Sequence, residues 1–146
     1  MPRTMRAAAL MLVTGALAGC SSTPPAESVK SGQLAAGTAS VEVNADRLPP
    51  VTAVSCSTVE SFTTITTGDD KAGATLMVNN AKGLVADSVD IRDLGGFTGS
   101  YLRDLGKPAD VTLADRTYTV TGTAVGFTAE NPSARVPAQF TIKVSC

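Results

Sequence analysis

From residue 40 onward the chain consists of short stretches in which apolar, often β-branched residues alternate with polar ones, each stretch closed by turn formers. SVEVNA (40–45), VTAVSC (51–56), SFTTITT (61–67), ATLMVNN (74–80), SVDIRDL (88–94), GSYLRD (99–104), DVTLA (110–114), TYTVTGTAVGF (117–127) and QFTIKVSC (139–146) all follow this pattern. A period of two places alternate side chains on opposite faces of a strand, and spacings of about 8 to 14 residues are those of antiparallel sheets. Leu48-Pro49-Pro50, Gly68-Asp69-Asp70, Asn80-Ala81-Lys82-Gly83, Gly95-Gly96, Gly106-Lys107-Pro108 and Asn131-Pro132 supply the turns. Residues 81–86 and 129–135 could each hold a helical turn, but both are too short for a confident helix. The expected fold is all-β: one antiparallel domain over residues 40–146, built as a β-sandwich or a strongly curved sheet.

Composition agrees. Aromatic residues make up 4% of the 146 residues, and His and Trp are absent, which favours β-branched strands and tight turns over a helical bundle. The length allows one ordinary domain of about 100 to 150 residues with short accessories.

The accessories precede the domain. Residues 1–6 carry Arg3 and Arg6 and no acid, residues 7–16 are an apolar run, and small residues follow. That order is the order of an export signal. The run falls well short of the roughly 20 apolar residues a spanning helix needs, so residues 1–19 read as a cleaved signal peptide. Leu17-Ala18-Gly19-Cys20 at its end resembles the bacterial lipobox, in which the cysteine sulfur receives a diacylglyceryl group and the signal is cut just before it. Stable anchoring takes two acyl chains at about 0.8 kcal/mol per buried methylene, and a diacylglyceryl thioether provides both. Cys20 is therefore the expected lipidation site. The expected location is the cell membrane or envelope, outside the cytoplasm, with the protein held by lipid alone. Residues 20–39 are rich in Ser, Thr, Pro, Gly and Ala. Such a stretch buries too little apolar surface to offset its conformational entropy and reads as a flexible tether with a reach of about 40 to 60 Å.

Export also places Cys56 and Cys146 in an oxidising compartment, where an even pair normally closes a disulfide. A closed loop of about 90 residues is worth roughly 4.6 kcal/mol in the chain-entropy description.

Several function classes fall away. Removing Arg3 and Arg6 with the signal leaves ten bases against thirteen acids, a net charge of −3, with no basic footprint for nucleic acid. Without His there is no Ser-His-Asp or Cys-His nucleophile, and the folded part offers no third cysteine for a metal. Asp69, Asp70, Asp87, Asp90 and Asp93 form the best acidic cluster. In an unbroken strand Asp87 and Asp93 share one face and Asp90 the other, so they do not converge on an ion. Gly95-Gly96-Phe97-Thr98-Gly99 precedes no helix that could present N–H groups to phosphate and reads as a mobile loop or bulge. The chain is expected not to be an enzyme and to need no cofactor or metal.

With the lipobox, the tether and the paired VTAVSCS and FTIKVSC in view, the chain resembles the mycobacterial 19 kDa lipoprotein antigen family. Residues 118–146 (YTVTGTAVGFTAENPSARVPAQFTIKVSC) resemble that family's closing segment. Residues 86–101 (ADSVDIRDLGGFTGSY) resemble its Gly-rich middle, and residues 51–56 its first cysteine strand. The resemblance implies an envelope lipoprotein with Cys20 lipidated and Cys56 and Cys146 bridged. It also implies an acylated amino terminus sensed by host Toll-like receptor 2 and a body without assigned enzyme activity. Family members carry sugars on tether threonines, and the tether here offers Thr23 and Thr38. The alternative is a carrier for a lipid or other apolar ligand, with Leu76, Met77, Val78, Leu84, Val85, Ile91, Leu94, Phe97 and Leu102 lining a cavity.

Overall fold

A computed structural model describes residues 30–146, so the signal segment, Thr23 and Cys20 lie outside the described residues. The described residues form ten strands: β1 (Ala39–Val43), β2 (Asp46–Arg47), β3 (Val54–Val59), β4 (Phe62–Gly68), β5 (Gly73–Asn79), β6 (Val85–Leu94), β7 (Phe97–Leu102), β8 (Asp110–Ala114), β9 (Thr117–Thr128) and β10 (Asn131–Ser145). A single 3-10 turn, Arg103–Leu105, stands between β7 and β8. All pairings are antiparallel, in the order β2-β1-β10-β9-β7-β6-β5-β4-β3.

This is the expected all-β class, a single curved sheet that does not close into a barrel. Its curvature follows from a distance. β3 and β10 are six strand steps apart, about 29 Å in a flat sheet at about 4.8 Å per step. Yet Cys56 in β3 and Cys146, just past β10, have Cα atoms 6.0 Å apart. Ala39 in β1 likewise bridges Val51, ahead of β3, through N–H···O bonds of 2.7 and 2.9 Å in the two directions. The sheet therefore curls until its far edge meets its other arm.

The curl encloses one core. Val41, Ile65, Leu76, Val78, Val89, Ile91, Val120, Phe140, Ile142 and Val144 come from strands along the whole path and are essentially inaccessible to solvent. Tyr101 and Phe140 pack edge to face with centroids 6.2 Å apart, a geometry worth about 0.5 to 1.5 kcal/mol beyond burial.

β9 is the hinge of the architecture, because its two halves have different neighbours on one edge. Thr117 to Thr121 pair with β8, Val125 to Thr128 pair with β7, and residues 122–124 pair with neither. At the β7 contact two glycines face each other, Gly99 and Gly126. A Cβ on Gly126 would lie 1.9 Å from the Thr98 carbonyl oxygen and 2.4 Å from Gly99 Cα, so only hydrogen fits. Gly126→Ala is expected to lose about 1 to 3 kcal/mol through overpacking. Urea denaturation reads this directly, and an unchanged midpoint would remove the argument.

The strands depart from the sequence reading in places with clear causes. Residues 129–135 hold no helical turn: β10 begins at Asn131 and contains Pro132 and Pro137. β1 pairs only with residues 140–144, so the earlier part of β10 has a free edge on which a missing N–H costs no ladder bond. Residues 81–86 are likewise not helical, and β6 starts at Val85. Asn44 and Ala45, read as the end of a strand, have φ of 51° and 69° and form the two-residue turn into β2.

Candidate functional site

The arm that enters the domain is the first element of interest. Gln33 Nε2 donates to Asp115 Oδ2, Leu34 N–H donates to Thr117 Oγ1 at 3.2 Å, and Gly37 N–H donates to the Ser145 carbonyl at 2.9 Å. Residues 33–38, read from sequence as the end of the tether, lie against the domain instead. Thr38 Oγ1 is engaged too, donating to the Ala35 carbonyl at 2.6 Å. The arm thus leaves the body beside the β8–β9 turn and the end of β10.

The disulfide closes that same end. Cys56 pairs across the ladder with the buried Ile65, and Cys146 continues the inward parity of Phe140, Ile142 and Val144. Both sulfurs therefore project from the inner faces of the two arms and bond across their margin. Cys146 N–H donates to the Arg116 carbonyl at 3.0 Å, which fixes the chain beyond β10. β3 itself is largely exposed and pairs in the sheet only with β4, so the covalent bond is its main tie to the opposite arm.

The acidic residues are dispersed, although not by the parity expected. Met77 pairs with Ser88 and Val78 with Ala86, which leaves Asp87 as the extra residue of a bulge. A second bulge falls between Ile91 and Leu94, where Asp93 has φ of 41°. Two extra residues reset the alternation on which the facing argument rested. Asp87 Oδ2 accepts from Asn79 Nδ2 at 3.2 Å, and its Oδ1 lies 2.9 Å from Arg103 Nη1. Asp90 is exposed. No group of three or more metal-ligating side chains occurs among the described residues.

Asp69 is a structural carboxylate. Its Oδ1 accepts the N–H groups of Lys71 and Ala72 at 2.8 and 2.9 Å, closing the β4–β5 turn. The bonds from Ala72 and then Lys71 hold its pKa below the ordinary carboxylate value, with the Arg92 charge contributing in the same direction. A depressed folded pKa stabilises the fold above the ordinary value and loses that contribution as pH falls through the folded one. An NMR titration is expected to place the Asp69 midpoint below that of an unstructured aspartate. A midpoint at or above it would contradict the turn geometry.

The Gly-rich stretch is a tight turn rather than a mobile loop. Leu94 pairs with Phe97 around Gly95 and Gly96, whose φ of 60° and 76° suit a two-residue hairpin, with the second bulge adjoining it. Ala129 N–H donates to the Gly96 carbonyl at 2.7 Å and ties it down.

The apolar residues proposed as a cavity lining mostly fill the core. Leu76, Val78, Ile91, Leu94 and Phe97 are buried in it, Leu84 packs against it, and Met77 and Leu102 face solvent.

The fold and its closure define a class: a β module stapled by a disulfide and entered through an amino-terminal arm. Within that class, the chain belongs to the Mycobacterium 19 kDa lipoprotein antigen family, whose match covers residues 32–146. It is 35% identical over 145 residues to a protein of Mycobacterium avium subsp. hominissuis named only as a lipoprotein, covering 99% of this chain and 95% of the relative. A second protein of that description, from Mycobacterium indicus pranii, is 35% identical over 142 residues, covering 96% of each chain. The family is one of antigen lipoproteins and carries no enzymatic name.

Proposed function

We propose that the protein is a lipid-anchored envelope lipoprotein that displays a non-enzymatic β module outside the cytoplasm. In this reading residues 1–19 are the cleaved signal, Cys20 carries the diacylglyceryl group, residues 20–39 connect it to the body, and the body acts through surface contacts. The observation that carries the reading is LAGC at residues 17–20, behind an apolar run too short to span a bilayer, in a chain of a lipoprotein family. The body supports it. Its arm emerges at the disulfide-closed end, which would orient the opposite turns, Gly95-Gly96 and the one between β9 and β10, away from the anchor. Host Toll-like receptor 2 would sense the acylated amino terminus rather than the domain.

The test is the mass of the amino-terminal peptide from the protein purified out of its host membrane. The expected result is a peptide beginning at Cys20 with a diacylglyceryl mass on the cysteine. An unmodified Cys20, or a peptide still carrying residues 1–19, would overturn the proposal. Receptor signalling by the lipidated but not the unlipidated chain tests the host claim separately.

A further inference from the structure

Where β9 parts from β7 toward β8, the sheet surface opens into a solvent-accessible groove of about 500 Å³ lined by Ser100, Leu102, Leu105, Lys107, Val125 and Arg135, among others. The volume lies in the range of about 300 to 1,000 Å³ usual for small-molecule sites. Its origin is topological. The β7 pairing with β9 ends at Ser100 and Val125, the β8 pairing begins at Thr121, and the 3-10 turn bridges the gap. Tyr101, buried beneath, accepts the Ala109 N–H on its hydroxyl at 2.9 Å, and Arg103 reaches Asp87. These two contacts hold the wall that carries Leu105 and Lys107.

The lining is amphiphilic. Leu102, Leu105 and Val125 are 46%, 80% and 45% exposed, and Phe127 lies two residues beyond Val125 on the same face of β9. Such a concentration of exposed apolar side chains marks a contact surface. Lys107 and Arg135 are exposed at the groove, and neither forms an ion pair with a carboxylate among the described residues. Asp104, the acid of the bridging turn, lies 3.8 Å from Arg103. An apolar trough with two unpaired cations complements a molecule with one hydrocarbon tail and one anionic head.

We infer that this groove binds the acyl chain of an anionic single-tailed amphiphile, a fatty acid carboxylate, with Lys107 and Arg135 holding the head group and Leu102, Leu105 and Val125 the tail. The groove belongs to the folded body and does not depend on how Cys20 is modified.

The experiment uses the processed full-length chain in phosphatidylcholine nanodiscs and a palmitic acid bearing a diazirine, with labelled peptides mapped by mass spectrometry. Labelling is expected within residues 100–107 and 123–135, competed by oleate but not by its methyl ester. It should fall about tenfold or more in the Lys107→Glu/Arg135→Glu variant, which removes both charge-assisted bonds to the head group and sets carboxylates against it. Labelling elsewhere, equal competition by the methyl ester, or an unaffected variant would overturn the site. Equal labelling of these peptides by a diazirine phosphatidylcholine would also overturn it, because the groove would then be a bilayer-docking face. Repeating the map on the Cys20→Ala chain in solution separates failure of the groove from failure of the anchor: the same peptides should be labelled.

Discussion

Replacing both Cys56 and Cys146 with serine is expected to lower the stability of the body by about 4.6 kcal/mol, the loop-closure value for a bridge across a sequence separation of 90. Against a total of about 5 to 15 kcal/mol for an ordinary domain, that is a third or more of the whole. At about 4 °C per kcal/mol, the melting temperature should fall by roughly 15 to 20 °C. The structure says where the loss begins. β3 pairs in the sheet only with β4 and is exposed along most of its length, so without the bond the far edge of the curled sheet is held to the other arm by the Ala39–Val51 bridge and by the packing of Val51 and Val54 against the core. Hydrogen exchange should therefore rise first in β3 and around residues 37–39, while β9 and β10 keep their protection. Thermal melts of wild type and the double variant, in the absence of reductant, give the number. A shift of only a few degrees would mean that packing alone holds the curl and that the bridge adds little.

The staple was legible because it depends on residue type and compartment rather than on geometry. An exported chain with two cysteines in its folded part has few other uses for them. Strand identity was legible wherever alternation is unbroken. β8 matches its run at both ends, and β9 differs by one residue. What alternation cannot show is an inserted residue. The bulges at Asp87 and Asp93 preserve the apolar content of β6 while changing which way its acids face. Pro132 misled for a related reason: a proline signals interruption unless the strand has a free edge, and that depends on how far β1 extends along β10. The arm at residues 33–38 looked like tether because it has one large apolar residue, Leu34, and it is held by hydrogen bonds to distant residues.

Of the apolar groove residues, the sequence reading reached Leu102 alone. Leu102, Leu105 and Val125 belong to three different elements, and they meet because β9 divides its edge between β7 and β8. The rest of the expected lining came mostly from β5 and β6. Those are the strands whose apolar faces must close the core.

The second large effect concerns attachment. A diacylglyceryl group carries two acyl chains, and two chains mark the difference between reversible and stable membrane binding. No helix among the described residues is long and apolar enough to cross a membrane. If Cys20 is the attachment point, removing its sulfur should change the protein from almost fully membrane-bound to almost fully free. The measurement is partition of the full-length chain and its Cys20→Ala variant, expressed in a mycobacterial host, between membrane pellet, detergent phase and culture medium. The account predicts wild type in the pellet and detergent phase, and the variant either released into the medium or retained only as an uncleaved precursor of higher mass. A variant of mature mass that stays in the membrane fraction would contradict the anchor, and with it the reading of this protein as a lipid-held display module.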